Sequence, residues 1–285
     1  MKSGTTLAEQ ASAATTLAVI SLKAIDAFRR HGVDVRRIDA STLGSDSGAK
    51  FPLENLMDRC LENNRSVWDR IVDMHARTMA EAVRESDPSE LSDDEFYSRL
   101  RERIVPPNAL TRYDAYDYSR PLVESAPDGP QRVLGLSYPG RALLLPDGGL
   151  IGRDIDTAWA AGRANTASLD FDEYETVIKG GVGIEVRRGN SIFLASKVAD
   201  MPTLVSDHLG ECPFGVLFAV PNSHEIDYYR PCDAADAERG AVLLGELANL
   251  LFAQQSPVSR EVFYWRDGQY TRWSDYAVMT ASSAE

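Results

Sequence analysis

Apolar residues recur at helical spacing through the first third of the chain. Between residues 7 and 28 they alternate at intervals of four and three, which predicts one continuous helix with an apolar stripe, and Gly32 predicts its end. The stripe consists of Leu7, Ala11, Ala14, Ala18, Ser21, Ile25 and Phe28. Packing of this stripe within its own chain is the favoured interpretation, and homo-oligomerisation through the N-terminal helix is the alternative.

Two further helical signals follow. The apolar spacing over residues 53–83 predicts helix, with a break at residues 63–64 where two asparagines adjoin. Cys60 falls on the apolar stripe, which predicts a thiol in the core. Ser92 and Glu95 have the spacing of a capping box, in which two side chains satisfy free amides at a helix start. The N-terminal part of the chain is therefore predicted to be mainly helical.

Proline content changes in the middle of the chain. Five prolines lie between residues 106 and 131, where they disfavour regular helix and interior strand. We therefore predict a helical N-terminal region over 1–105, a proline-rich connector over 106–131, and an α+β domain over 132–285.

In the third region, short apolar runs typical of strands alternate with helical patterns. Gly180 and Gly181 follow one predicted helix and precede a strand, so they are interpreted as a helix cap and turn, not as a phosphate loop. Asp267-Gly268 predicts a hairpin with a two-residue turn. The predicted fold class is α+β, a helical region followed by a largely antiparallel sheet with helices packed on one face. Helices are expected at 156–165, 170–179, 198–209 and 234–253.

Composition narrows the classes of function. The net charge is −13, and a chain without clustered lysine and arginine is not expected to bind nucleic acid through phosphate contacts. Three widely spaced cysteines do not form a disulfide framework and favour a reducing cytoplasm. The most apolar segment, "LAVISL", is too short to cross a bilayer. We therefore predict a cytoplasmic protein with no membrane or nucleic-acid partner.

Four segments of the chain resemble a known family. They read "FPLENLMDRCLENNRSVWDRIVDMH", "GRDIDTAWAAGRANT", "SIFLASKVADMP" and "FGVLFAVPNSHEIDYY". In this order they resemble the YtpQ-like family, bacterial proteins of unknown function, over roughly residues 51–275 of this chain. The resemblance implies an α+β fold and a cytoplasmic location. It implies no catalytic residues.

Histidine and cysteine side chains could in principle form a metal site. His208, Cys212, His224 and Cys232 are residue types that suit tetrahedral zinc. Their spacing lacks the short Cys-x-x-Cys unit, so Cys212 is interpreted as a thiol at a strand entry and His208 as a cation at a helix C-terminus. We predict neither a metal nor a cofactor.

Two pairs of neighbouring residues are candidates for catalysis. Ser196 and Lys197 follow a predicted strand, as a nucleophile and its base could, although a helix N-cap is the favoured interpretation of the serine. His224 and Glu225 follow the turn residues of "AVPNSHEI" and could transfer protons if a pocket opens above the strand ends. Adjacent residues on a strand point to opposite faces, which argues against the second pair.

A tyrosine-rich loop offers a candidate binding surface. The segment "TRYDAYDYSRP" could hold a basic side chain of another protein through ring faces and carboxylates together. Packing of these tyrosines on the sheet is the alternative. The candidate residues are Tyr113, Asp114, Tyr116, Asp117 and Tyr118.

The pattern as a whole favours binding over catalysis. The leading hypothesis is a non-enzymatic protein-binding module, such as an inhibitor, an immunity-like protein or a regulatory adaptor, whose acidic surface attracts a basic partner. The alternatives are a hydrolase-type enzyme with its site at the turn that carries His224, and a structural homo-oligomer joined through the N-terminal helix.

Overall fold

The computed structural model describes residues 7–46, 48–84, 88–110, 115–138, 141–252 and 256–282. By its internal contacts the chain divides into two compact units, one of residues 1–87 with 138–141, the other of residues 88–137 with 142–285. The main division therefore lies at residue 87, upstream of the proline-rich segment. Among the described helices, none is long and apolar enough to cross a membrane.

The smaller unit packs three helices with a small antiparallel sheet. Its buried core includes Ile20 and Phe28 of the first helix, and Cys60 is fully buried as predicted. Asn64 accepts a hydrogen bond from the Ser66 amide and starts a new helical turn, which confirms the predicted helix break. The elements are α1 (Leu7–Arg30), β1 (Val35–Arg37), β2 (Thr42–Ser45), β3 (Lys50–Pro52), α2 (Glu54–Leu61) and α3 (Trp68–Arg84).

The larger unit contains two antiparallel sheets. One has four strands, β4 (Leu100–Val105), β5 (Arg120–Pro121), β6 (Gln131–Tyr138) and β7 (Arg141–Leu144), and follows α4 (Asp93–Arg99). The capping box predicted for Ser92 and Glu95 is present at the start of α4. The next helix, α5 (Ile155–Ala167), lies close to the predicted position.

The second sheet has six strands in the order β13-β12-β10-β11-β9-β8. The predicted α+β class with antiparallel pairing is confirmed. The strands of this six-stranded sheet are β8 (Glu173–Lys179), β9 (Val182–Arg188), β10 (Val216–Ala219), β11 (Glu225–Tyr229), β12 (Val262–Arg266) and β13 (Gln269–Arg272). The helices in the same part of the chain are α6 (Met201–Leu204), α7 (Ala234–Leu251) and α8 (Trp273–Ser282).

Apolar side chains on both faces of the six-stranded sheet are covered. On one face, Leu217 and Ala219 of β10 share a core with Leu244 of α7. On the other face, Phe218 shares a core with the helical segment 194–209, which combines 3-10, α and π turns around α6. Helical structure thus lies on two faces, because strands that are buried on both sides need cover on both sides.

Two predicted elements are wrong. Residues 173–179, expected to be helical, form strand β8, which pairs with β9 across a tight turn. Gly180 and Gly181 in this turn have φ of 60° and 82°, a combination that suits a two-residue hairpin better than a helix end. The segment "SIFLAS", expected to be a strand, enters the 3-10 turn over Leu194–Asp200.

The predicted second hairpin is confirmed. It joins β12 to β13 through Asp267 and Gly268, which have φ of 49° and 82°. Positive φ at both turn residues is the requirement of a type I′ turn, which aspartate and glycine tolerate. The hairpin leads directly into α8 and so fixes where the aromatic side chains of "YTRWSDY" lie.

Candidate functional site

Four aromatic residues line a groove of about 500 Å³ on the larger unit. We call it the aromatic groove, and its rings belong to Phe214, Tyr264 of β12, and Trp273 and Tyr276 of α8. Trp273 and Tyr276 are three residues apart on the helix, so they share a face and stack with centroids 5.3 Å apart. The Tyr264 ring lies 4.8 Å from Tyr276 and 5.8 Å from Trp273. The three rings form one continuous wall.

Backbone contacts hold this wall in place. The Tyr264 hydroxyl donates a hydrogen bond to the carbonyl oxygen of Phe214 at 2.7 Å. Burial raises the pKa of Tyr264, so the hydroxyl stays protonated and keeps donating near neutral pH. Gly215, with φ of 78°, lets the chain pass close by, since a Cβ there would lie 2.5 Å from the Trp265 carbonyl oxygen. These contacts hold the Phe214–Gly215 segment against the Tyr264 ring.

Acidic residues at the start of α7 form the rim of the groove. Asp233 caps α7 by accepting a hydrogen bond from the Asp236 amide at 2.7 Å. Glu238 is exposed one turn later and has no ion-pair partner among the residues that the structure describes. The lining cation, Arg266, lies 3.4 Å from the carboxylate of Asp267. The rim therefore presents net negative charge beside the half-buried rings of Trp273 and Tyr276 and the exposed ring of Phe214.

A second cavity, of about 270 Å³, contains the turn that the sequence marks as a candidate. We call it the His224 cavity. The structure brings His224 and Glu225 to the same cavity, which the alternation of a strand does not predict, because β11 begins only at Glu225. The cavity is lined by Asp172, Glu173, Arg188, Gly189, Asn190, Asn222, His224 and Glu225.

The buried acid and the histidine of the His224 cavity have partners within the fold, whereas Glu173 is exposed and has no ion-pair partner among the described residues. Glu225 accepts a hydrogen bond from Nε of Arg188 at 2.8 Å. Arg188 also pairs with Glu175 at 2.6 Å. Nδ1 of His224 lies 3.3 Å from the carbonyl oxygen of Gly189. The histidine and the glutamate are therefore oriented by other residues instead of by each other.

A buried acid lies on the same face of β11, two residues after Glu225. Asp227 has no solvent exposure, and neither of its carboxyl oxygens has a hydrogen-bond donor among the described residues. Burial, followed by the charge of Glu225, raises the pKa of Asp227 well above its ordinary value. The neutral, protonated form of Asp227 is therefore favoured in the fold.

The predicted pair Ser196 and Lys197 has structural contacts. Oγ of Ser196 accepts a hydrogen bond from the Ile104 amide at 2.8 Å, in the middle of a 3-10 turn, so the N-cap interpretation is wrong. Nζ of Lys197 donates to the carbonyl oxygens of Ala167, the last residue of α5, and of Leu169, two residues later. Burial lowers the pKa of Lys197. These contacts link neighbouring elements of the core.

The four residues considered as candidate zinc ligands lie in different environments. His208 packs edge-on against Phe171 at the end of a π turn. Sγ of Cys212 lies 3.3 Å from the Gly210 carbonyl oxygen, and Cys232 is exposed just before α7. His224 belongs to its own cavity. Across the described ranges no group of three or more histidine, cysteine or acidic side chains could hold a metal ion.

The tyrosine-rich loop is only partly described. Tyr113 and Asp114 lie outside the described residues. The Tyr118 hydroxyl donates to the Leu145 carbonyl oxygen and its ring packs edge-on against Trp159, so this tyrosine supports the four-stranded sheet. Asp117 is exposed, and the rings of Tyr116 and Tyr118 are 6.5 Å apart.

Sequence reasoning missed the aromatic groove and the buried acid. The interval of three between Trp273 and Tyr276 could have indicated a shared helix face, and the interval of two between Glu225 and Asp227 a shared strand face. No family model, curated protein or solved structure matches this chain.

Proposed function

We propose that this protein is a protein-binding module that holds a basic side chain of its partner in the aromatic groove. The observation that carries the proposal is the wall of Tyr264, Trp273 and Tyr276 beside the acidic rim. Guanidinium groups stack on tryptophan and tyrosine faces, where ring quadrupole and planar contact act together. Aromatic anchors in concave sites also dominate the energy of protein interfaces.

Charge supports a basic partner. Glu238 on the rim is available for an incoming cation, and the net charge of −13 attracts basic surfaces over longer range. An inhibitor, an immunity-like protein or a regulatory adaptor would work through such a surface. This proposal keeps the acidic, tyrosine-rich character expected from the sequence and moves its centre from the loop at Tyr116 to the groove.

Two synthetic peptides test whether the groove recognises arginine. One alternates glycine with arginine, and the other alternates glycine with citrulline. Citrulline keeps the planar shape and removes the charge, so it separates cation recognition from simple stacking. NMR titration of the tryptophan indole N–H signals measures both affinities. We expect the arginine peptide to bind roughly tenfold more tightly, and Trp273→Leu to weaken it by about tenfold.

The control for this titration is Tyr97→Leu, which removes a half-buried ring from α4 outside the groove. It should leave the affinity for the arginine peptide unchanged. Equal affinities for the arginine and citrulline peptides, or binding that survives Trp273→Leu, would contradict the proposed function.

The second candidate function is a hydrolase-type enzyme at the His224 cavity. The observation in its favour is that His224, Glu225 and Asp172 line one cavity of about 270 Å³. Turnover of p-nitrophenyl acetate or p-nitrophenyl phosphate that disappears in His224→Ala would support it. Absence of turnover, or turnover that His224→Ala leaves intact, would remove this candidate.

We further propose a cytoplasmic location and membership of the YtpQ-like family. The α+β architecture agrees with what the family resemblance implies. The three cysteines have free thiols, which suits a reducing compartment. Fractionation of the source cells, with the protein followed by an antibody, tests the location.

A further inference from the structure

Strand β8 forms one outer edge of the six-stranded sheet. It pairs with β9 on one side, and no strand in the described part of the chain pairs with its other side. Six of its seven residues are exposed, so both faces of the strand are open beside the free edge. An edge of this kind can pair with a further strand through its backbone groups.

The hairpin turn determines which backbone groups point outward. Gly180 and Gly181 make a two-residue turn, and the residues that flank it, Lys179 and Val182, form a hydrogen-bonded pair. Pairs alternate along an antiparallel ladder, so residues 173, 175, 177 and 179 turn their N–H and C=O groups toward β9. Tyr174, Thr176 and Ile178 turn theirs toward the free edge.

We propose that two copies of this chain pair through β8, antiparallel, with Thr176 on the two-fold axis. In this register Thr176 faces Thr176 of the second copy and Tyr174 faces Ile178. Each of these three positions has its backbone groups directed outward, so six interchain hydrogen bonds follow from the ladder geometry. The interface is self-complementary, as a two-fold dimer requires.

The side chains agree with the same register. Glu173 of one copy faces Lys179 of the other, which already pairs with Glu246 of its own chain, so the contact brings a second carboxylate to each lysine, twice by symmetry. Tyr174 and Ile178 are 62% and 74% exposed, and an aromatic residue opposite a β-branched one is a favourable cross-strand pair. Glu175 faces Val177, so no like charges are opposed. This charge complementarity selects a second copy over an unrelated strand.

Thr176→Pro tests the backbone contacts in the full-length protein. Proline removes an N–H that points away from β9, so the β8–β9 ladder is kept while the interchain ladder loses its centre. Sedimentation velocity over a range of concentrations should show a dimer for the wild type and at least roughly hundredfold weaker association for Thr176→Pro. Thr176→Val, which keeps the N–H and the branched shape, is the matched control and should remain dimeric.

Charge exchange tests the register. Glu173→Lys and Lys179→Glu should each weaken association by about tenfold, because each sets like charges opposite one another twice by symmetry. The double variant should recover the part of this loss that does not come from the broken Lys179–Glu246 pair. Circular dichroism melts check that β8 stays folded. A wild type that is monomeric at its highest soluble concentration would overturn the proposal. A dimer that Thr176→Pro and both charge variants leave intact would overturn it too, by placing the interface elsewhere.

Discussion

The aromatic groove and the His224 cavity both combine acids with other functional groups, but they differ in what those groups already contact. In the His224 cavity, Glu225 is held by Arg188, Asp172 accepts hydrogen bonds from both the amide and the side chain of Asn190, and only the exposed Glu173 has no partner among the described residues. In the aromatic groove, Glu238 has no ion-pair partner among the described residues, and Trp273 and Tyr276 leave ring surface beside it. A charge inside a cavity is available to a ligand only when the fold does not already neutralise it.

Because of this difference, substitutions at the two sites should change different measured quantities. Substitutions of Glu225 or its partner Arg188 should act mainly on the free energy of unfolding, because the Glu225 carboxylate is buried and depends on that partner. Substitutions on the rim of the groove should act mainly on association with a partner, because exposed charges contribute little to folding. The variants below test that separation.

The largest effect is expected for Arg188→Met. Glu225 is 2% exposed, and removal of its partner leaves a buried carboxylate beside Asp227. We expect the free energy of unfolding in urea to fall by about 3–5 kcal/mol, as for other broken buried pairs. Arg239→Met is the control, since its pair with Asp236 is exposed on the arginine side and should cost under about 1 kcal/mol. Equal losses of unfolding free energy in the two variants would show that the burial of Glu225 does not determine the cost of removing its partner.

Asp227→Asn should increase stability in a pH-dependent manner. The pKa of Asp227 is raised in the fold by burial and by Glu225, so its contribution is complete below its ordinary value near 3.8 and is lost as pH rises through the raised pKa. Asparagine keeps a donor toward Glu225 and does not titrate. We expect the variant to be about 1–3 kcal/mol more stable at pH 7, with the advantage disappearing toward pH 3.

Urea unfolding at several pH values measures the difference between Asp227→Asn and the wild type, so the titration of other carboxylates cancels. Asp267→Asn, in the exposed turn of the second hairpin, is the matched control and should show no such pH dependence. A pH-independent difference at residue 227 would mean that the fold does not raise the pKa of Asp227.

The sequence predicted elements well where the signals were local. The break before Asn64, the capping box of Ser92 and the turn at Asp267 each depend on contacts within a few residues. Residues 173–179 were misassigned because β8 is exposed on both faces at a sheet edge, so the alternation that identifies strands is missing. Its pairing with β9 is a tertiary contact that no local pattern records.

The candidate sites were likewise predictable from the sequence only where their residues are close together in the chain. His224 and Glu225 could be singled out from one short segment, and the structure brings both to one cavity. The groove combines rings from β12, α8 and the loop at Phe214. It therefore forms only because α8, which follows the hairpin, packs its rings against Tyr264 of β12. Sequence spacing predicts that Trp273 and Tyr276 share a face, but it does not predict that Tyr264 meets them.

The smallest effect is expected for Glu238→Gln, on association of the arginine peptide. Removal of one exposed rim charge should slow association about two- to threefold at low salt, and the difference from wild type should shrink as salt screens the field. Folding stability should change by less than about 0.5 kcal/mol. Stopped-flow fluorescence at two ionic strengths measures the rate, with the peptide in excess.

Glu211→Gln is the matched control for Glu238→Gln, because it changes the net charge equally at an exposed position outside the groove. If the rim acts locally, only Glu238→Gln slows association. Equal slowing by both variants would mean that the overall charge of −13 steers the peptide and that the groove contributes stacking alone. In that case the aromatic wall would still anchor the peptide. The absence of an ion-pair partner for Glu238 would then not explain why the peptide binds at the groove.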